Sequence, residues 1–216
     1  MSRITVAAAQ TANRTIGFRI GSVESALDQI DVTLDALVGL AHEAADAGAR
    51  LLAFPEDTLG TLEWQAGHRN EMGPMLAAAG QRMLRVLGEV AHARQMAIVC
   101  CNDLPGEDPR GPVYNTAVLL GADGIEIGRY LKVQPTLAER GDRTPGEVFP
   151  VFDLPGVGRI GLCICYDLLF PETTRALALN GADLVVHCTL GGASMGDAEA
   201  DLAAFRTRAG DNLLYL

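Results

Sequence analysis

Apolar residues follow two different spacings along the chain. From residue 23 they recur at steps of three and four, which predicts an amphipathic helix that begins after Ser22 and ends near Gly48. Residues 74–94 show the same spacing and predict a second helix. The short apolar run at residues 50–54 predicts a strand buried on both faces. Two further strands are predicted at residues 3–10 and 96–101.

Strands, turns and helices alternate in the second half of the chain. Residues 113–131 contain two extended runs around an Ala-Asp-Gly turn, which predicts a hairpin. A helix is predicted to begin at Pro171, because proline is favoured in a first helical turn. The remaining predicted elements are an antiparallel pair (149–154 and 159–165), a strand (183–188) and a helix (197–211).

The length and composition fit one globular domain. The chain has 216 residues, of which 49% are hydrophobic and 20% charged, enough for one sizeable core. Helices both separate and follow strands, and several strands are joined by hairpins. We therefore predict a single α/β domain over residues 1–216, built in layers with mixed sheets.

Charge and cysteine content argue against several classes of partner. The formal net charge is −10, and no Lys/Arg stripe reverses it locally, so nucleic acid is not an expected partner. No apolar run reaches the roughly 18 residues that a membrane helix needs, and the N-terminus does not resemble a signal peptide. Five cysteines in such a chain predict free thiols and a cytoplasmic location.

Three glycines match the spacing of a dinucleotide-binding loop. Gly156, Gly158 and Gly161 form a G-x-G-x-x-G pattern, which must follow a strand and open a helix to hold a pyrophosphate. Here the pattern precedes the β-favouring run Leu-Cys-Ile-Cys-Tyr. We therefore predict no dinucleotide cofactor.

The cysteine-rich segment at residues 161–172, GLCICYDLLFPE, has three possible roles. A metal site from Cys163, Cys165, His187 and Cys188 is disfavoured, because neighbouring residues 187 and 188 of a strand point to opposite faces. Both cysteines of the segment could instead be small core residues. The third role is a catalytic thiol, for which Cys165 is the better candidate because it is the last strand-like residue before Tyr-Asp.

The same segment and two others resemble the three signatures of the nitrilase, or carbon-nitrogen hydrolase, superfamily. Residues 161–172 are similar to the cysteine signature and imply that Cys165 is the nucleophile. LLAFPED, residues 51–57, resembles the first motif and implies a general base at Glu56. GRYLKVQPTLAE, residues 128–139, resembles the second motif and implies the lysine at Lys132. The three stand in the expected order, so the resemblance covers essentially the whole chain.

The resemblance implies a four-layer α-β-β-α sandwich that hydrolyses a non-peptide carbon-nitrogen bond through a thioester. The expected substrate is a small amide, with a nitrile or an N-carbamoyl compound as alternatives, and neither cofactor nor metal is implied. Glu56 would take the thiol proton, while Lys132 and the backbone N–H of Tyr166 would stabilise the developing negative charge. Glu139 matches a second glutamate that orients the lysine or the water, although it could also be a solvated loop charge.

The chain departs from the family pattern at two places. Gln134 stands where many relatives carry a histidine, and relatives continue beyond the strand-like run at residues 212–216. We therefore expect a domain that lacks its C-terminal strands and forms a homo-oligomer through an exposed sheet edge. His187 is expected to line the substrate pocket. The alternative function is a truncated or degenerate relative that acts as a non-catalytic binding or assembly subunit.

Overall fold

The structure is a computed structural model that describes residues 3–12, 15–191 and 198–216. Its strands are β1 (Val6–Ala8), β2 (Leu51–Ala53), β3 (Ala97–Pro105), β4 (Val113–Leu120), β5 (Glu126–Leu131), β6 (Val151–Leu154), β7 (Gly158–Ile164) and β8 (Leu184–Cys188). Its helices are α1 (Val23–Asp46), α2 (Leu62–Gly67), α3 (Met72–Arg94), α4 (Pro171–Leu179) and α5 (Ala198–Asn212), and a short 3-10 helix spans Cys165–Leu169.

The strands form two separate sheets. The larger sheet has five strands in the order β1-β2-β3-β4-β5, with β1, β2 and β3 parallel and β3, β4 and β5 antiparallel. The smaller sheet has the order β6-β7-β8, with an antiparallel pair followed by a parallel one. The predicted hairpin at residues 113–131 and the predicted pair β6–β7 are both confirmed.

Three apolar clusters divide the molecule into layers. One cluster lies between the sheets and joins residues such as Val99 and Leu119 of the larger sheet to Leu162 and Val186 of the smaller one. A second packs α1 and α3 against the outer face of the larger sheet. The third packs α4 against the outer face of the smaller sheet, through Leu177. This arrangement confirms the predicted α-β-β-α sandwich.

Local chemistry explains where the first long helix begins and ends. The Ser22 hydroxyl oxygen accepts a hydrogen bond from the Ser25 N–H at 3.1 Å, as an N-cap side chain does. Gly48 follows the helix with a φ of 82°, a left-handed conformation that costs glycine little. The apolar stripe between these ends is buried, with Ala26, Ile30 and Leu37 among its members.

Two predictions of local structure need correction, and one short helix was missed. β7 ends at Ile164, so Cys165 is the first residue of the 3-10 helix rather than the last of the strand. The run at residues 212–216 is not a strand: α5 extends into it, and only Tyr215 forms a bridge, to Leu184. The sequence also gave no sign of α2, whose six residues are too few to show a period, although Trp64 within it is fully buried.

The position of the three glycines is incompatible with a nucleotide-binding loop. Gly156 is in the turn between β6 and β7, while Gly158 and Gly161 are within β7 itself. The pattern therefore closes an antiparallel pair and opens no helix. Among the described residues, no helix is both long enough and apolar enough to cross a membrane.

Candidate active site

Three side chains predicted to act together are carried by the ends of three strands. Glu56 follows β2 through Phe54 and Pro55, Lys132 directly follows β5, and Cys165 directly follows β7. All three line one cavity of about 580 Å³, together with Glu139. Two of these strands belong to the larger sheet and one to the smaller, so the cavity is lined by residues that follow strand ends of both sheets.

Lys132 is the buried centre of this group. Its side chain is 2% exposed, and its ammonium lies 2.9 Å from Glu56 Oε1 and 2.9 Å from Glu139 Oε1. Burial alone would lower the pKa of Lys132, but the two carboxylates outweigh burial and hold that pKa well above its usual range. Lys132 is therefore a fixed positive charge, as stabilisation of a developing anion requires.

Glu139 is an integral part of the same network. Its Oε2 accepts a hydrogen bond from the Thr136 N–H at 2.7 Å, and its Oε1 accepts one from Asn115 at 3.0 Å. Burial acts to raise the pKa of Glu139, yet the Asn115 hydrogen bond and the Lys132 charge lower it to about 2. The alternative reading of Glu139 as a solvated loop charge is therefore wrong.

Cys165 adopts an unusual backbone conformation. Its φ is 43°, in the left-handed region that non-glycine residues rarely occupy. The conformation turns the chain sharply out of β7 into the 3-10 helix, so the cysteine side chain reaches the cavity instead of following the strand. Strained backbone of this kind is frequent at functional sites.

The Cys165 thiol is protonated at neutral pH. Burial raises the pKa of Cys165, the Glu56 carboxylate beside it raises it further, and the result is about 11. Lys132 opposes this shift without cancelling it. A base must therefore remove the thiol proton during attack, and the Glu56 carboxylate is next to it.

The other cysteines have the character of core residues. Cys163 is fully buried in the cluster that includes Leu177, and burial raises its pKa well above the usual range. Cys188 lies in the core between the sheets. Among the described residues, no group of three or more His, Cys, Asp or Glu side chains is arranged to hold a metal ion.

Asp167 links the turn that contains Cys165 to the segment after Lys132 by hydrogen bonds. Its Oδ2 accepts hydrogen bonds from the Ile164 N–H at 2.9 Å and the Tyr130 hydroxyl at 2.8 Å. Its Oδ1 accepts one from the Gln134 N–H at 2.8 Å. Although burial raises the pKa of Asp167 to about 6, all three partners are donors, which suits an ionised carboxylate at neutral pH. Gln134 therefore contributes its backbone to the site.

His187 and Tyr166 have less direct positions. The His187 Nε2 lies 3.1 Å from the Cys165 carbonyl oxygen, and its ring packs against Phe205. Burial lowers the pKa of His187, so the ring is neutral and donates from Nε2. It lines a neighbouring cavity of about 670 Å³ that shares Glu56 with the first. The role of the Tyr166 N–H as a second donor to the anion stays a prediction.

The cavity walls come from loops and from the helices α2 and α3. Its remaining lining includes Gln65, Met72, Ala138, Arg143 and Leu190, from the segments around 57–73, 134–147 and 189–191. The buried Arg143 guanidinium donates to Asp103 at 2.8 Å and to Gln65 at 2.5 Å, which anchors the wall that carries Glu139 to β3 and α2.

Among the contributors that were missed from the sequence, two contact Glu56 directly. Asn115 donates to both glutamates, and Leu190 donates its backbone N–H to Glu56 Oε2 at 3.2 Å. A signal for Asn115 did exist: it is an amide in the mostly apolar strand Val113–Leu120. No sequence signal could identify Leu190, because the group it contributes is its main chain.

Comparisons with known proteins identify the family of the chain. The model of the family described as carbon-nitrogen hydrolase matches residues 5–215. A nitrilase of Pyrococcus abyssi is 33% identical over 154 residues, covering 68% of this chain and 55% of that protein. An omega-amidase of Homo sapiens is 30% identical over 184 residues, covering 81% of this chain and 63% of that protein. The chain thus spans less than two thirds of the length of these curated relatives.

Solved structures show the same fold. The crystal structure of an amidase from Nesterenkonia sp. has a TM-score of 0.76 and 29% identity, and the match covers 97% of this chain and 72% of that one. A glutamate-to-glutamine mutant of that amidase shows the result of Michael addition of acrylamide at its active site cysteine, with a TM-score of 0.74, 28% identity and coverage of 98% and 76%.

Proposed function

Since the chain belongs to the carbon-nitrogen hydrolase family, we propose that it hydrolyses small amides, with Cys165 as nucleophile, Glu56 as general base and Lys132 as the stabilising cation. The observation that carries the proposal is that these three side chains, from the ends of three strands in two sheets, line a single cavity. Its volume of about 580 Å³ suits a small molecule.

Acylation would begin with attack of the Cys165 sulfur on the amide carbonyl carbon. Glu56 takes the thiol proton as the carbon–sulfur bond forms, because a thiol with a pKa of about 11 is not ionised beforehand. The negative charge on the carbonyl oxygen is stabilised by Lys132 and, we propose, by the Tyr166 N–H. Glu56 then gives its proton to the nitrogen as the carbon–nitrogen bond breaks, which leaves a thioester and free ammonia.

Deacylation would use the same groups in a second cycle. A water molecule attacks the thioester carbonyl while Glu56 accepts its proton, and Lys132 again stabilises the oxygen anion. The carbon–sulfur bond then breaks, and the sulfur recovers the proton from Glu56. The sum is one amide and one water converted to one carboxylic acid and one ammonia. Glu139, held by Lys132 and Asn115, would keep the lysine in place throughout.

The proposal is tested by ammonia release together with intact-protein mass. Incubation with simple amides such as butyramide should release ammonia, and rapid quenching should reveal an acylated protein whose adduct maps to Cys165. Relatives include a nitrilase, so the corresponding nitriles form a second panel. Binding of amides without ammonia release or an adduct would favour the alternative, a non-catalytic binding or assembly subunit.

The pH dependence of thiol alkylation offers a prediction that needs no substrate. Iodoacetamide should modify Cys165 slowly at neutral pH and faster up to about pH 11, since the thiolate is the reactive species and burial and Glu56 raise its pKa. In Glu56→Gln the neighbouring anion is gone, so the thiol pKa falls and the profile moves to lower pH. Peptide mass mapping over a pH series measures the rates.

An exposed glutamate provides the control for this experiment. Glu172→Gln, on the surface of α4, should leave the alkylation profile unchanged. Faster labelling of Cys163 than of Cys165, or a Glu56→Gln profile that matches the wild type, would contradict the assignment. The acrylamide adduct in the glutamate-to-glutamine mutant of the related amidase supports the expectation that such a variant keeps a reactive thiol.

We also propose that the protein is a homo-oligomer in the cytoplasm. Large apolar side chains stand exposed at the ends of α4 and α5, with Leu179 at 78%, Leu213 at 96% and Tyr215 at 78% exposure, and association would cover them. Five unpaired cysteines support a reducing compartment. Light scattering should give a mass that is a multiple of 22.8 kDa; a monodisperse monomer would contradict the oligomer.

A further inference from the structure

We propose that Asn115 is a positioning residue that fixes Glu56 through one oxygen, Oε1, and thereby makes Oε2 the atom that exchanges protons with Cys165 and water. The inference rests on the proposed function and adds to it a residue and an atom. Asn115 is on β4, opposite Asp103 of β3, and is almost fully buried. Its side-chain amide donates to both Glu56, the proposed base, and Glu139.

Lys132 and Asn115 each donate hydrogen bonds to both Glu56 and Glu139, so the four side chains form a closed hydrogen-bonded ring. Glu56 Oε1 accepts from Lys132 at 2.9 Å and from Asn115 at 2.8 Å. Glu139 Oε1 accepts from the same two donors, at 2.9 Å from Lys132 and 3.0 Å from Asn115. Two carboxylates thus share one ammonium and one amide. The amide adds hydrogen-bond donors between them without adding charge.

Within this hydrogen-bonded ring, the two carboxylate oxygens of Glu56 differ in the hydrogen bonds that they accept. Oε1 already accepts two strong donors, which lowers its affinity for a proton. Oε2 accepts only the Leu190 N–H among the described residues, at the longer distance of 3.2 Å. The less saturated oxygen is the more basic one. Proton transfer therefore runs through Oε2, and Asn115 prevents the carboxylate from rotating to exchange the two.

Asn115 is itself held in one orientation. Its Oδ1 lies 3.5 Å from the Cys101 thiol, which donates to it from the adjacent strand β3. With Oδ1 occupied on that side, the Nδ2 group faces the two glutamates. A leucine has a similar size but no donor, whereas an aspartate has the same shape and adds a third negative charge beside Lys132.

The test uses Asn115→Leu with a matched control on the same strand. We expect kcat to fall about 10- to 100-fold with KM changed little, as for loss of a hydrogen bond to a charged group. Thr116→Val is the control, because Thr116 is buried and its hydroxyl donates within its own strand, to the Tyr114 carbonyl oxygen at 3.1 Å. Its kinetics and thermal midpoint should stay close to wild type.

A second readout separates positioning from general damage and does not depend on turnover. If Asn115 holds Glu56 against the thiol, the alkylation profile of Cys165 in Asn115→Leu should move to lower pH, in the same direction as in Glu56→Gln. Thr116→Val should keep the wild-type profile. A wild type without amidase activity would overturn the proposed function, while the alkylation series would still test Asn115.

Asn115→Asp keeps the test decisive if the leucine variant does not fold. Its carboxylate repels Glu56 and Glu139 when ionised and donates a hydrogen bond when protonated, so its kcat should be low at neutral pH and recover as the pH falls. An Asn115→Leu or Asn115→Asp protein with the kcat and the alkylation profile of Thr116→Val would overturn the inference.

Discussion

Cys165→Ala should abolish amide hydrolysis, with ammonia release falling to the background rate of the uncatalysed reaction. Cys165 is the proposed nucleophile, and its left-handed turn, with a φ of 43°, brings its thiol to the cavity. The fold should persist, because the Cys165 side chain is only partly buried and its backbone is not part of a β-strand. Ammonia release, intact mass and circular dichroism together check the prediction.

Cys163→Ala is the matched control for the loss of the nucleophile. Cys163 is two residues earlier, within β7, and packs in the cluster that contains Leu177 and Val185. Its truncation should cost about 1 kcal/mol of stability and leave turnover nearly unchanged. An inactive Cys163→Ala beside an active Cys165→Ala would exchange the roles of the two thiols and refute the site.

Lys132→Met should lower kcat by about 100-fold or more, as loss of a donor to an oxyanion does. Methionine has a similar length and no charge, so the variant removes the cation with little change of shape. It also leaves Glu56 and Glu139 facing each other without their shared ammonium, so the folded protein should lose about 3–5 kcal/mol, as when one partner of a buried ion pair is removed. Lys132→Arg should not restore the rate, because a planar guanidinium does not fit the place of a compact ammonium.

The pH dependence of unfolding distinguishes this effect from simple misfolding. Without Lys132, the folded-state pKa of at least one glutamate rises above its unfolded value. Folding is then favoured at low pH, and that stability is lost as the pH rises through the raised pKa. Arg129→Met, on β5 three residues before Lys132 and partly exposed, should show neither the kinetic loss nor this pH dependence. Equal behaviour of the two variants would contradict the proposed catalytic role of Lys132.

The strands and the three principal side chains could be predicted from sequence because their signals are local. Periodicity locates α1 and α3, and the residues after β2, β5 and β7 stand out as charged or sulfur-bearing side chains at the ends of apolar runs. The prediction failed where the geometry departs from a period. Cys165 has the β-favouring neighbours of a strand residue, yet its backbone is left-handed.

Long-range contacts set the other limit. The link from Asn115 to Glu56 joins residues 59 positions apart, and that from Leu190 to Glu56 joins residues 134 apart. Neither the amide nor the peptide group carries information in sequence about its partner. Asp167 is intermediate, since its bond to Ile164 is local while its bond to Tyr130 crosses between the sheets. The order of strands in the larger sheet brings Asn115 to Glu56, whereas the packing of the two sheets brings Leu190 to Glu56 and Asp167 to Tyr130.

Because the site combines residues from two sheets, catalytic activity requires that the two sheets have docked. Activity can therefore be used to follow this step of folding. Glu56 and Lys132 extend from the five-stranded sheet and Cys165 from the three-stranded one, and the contact between them depends on the apolar layer that joins the sheets. A folding intermediate with both sheets formed but undocked would retain its secondary structure and still lack a working nucleophile. In a mild denaturant series, catalysis should therefore vanish before the strands do, and the return of turnover during refolding should time the docking step itself.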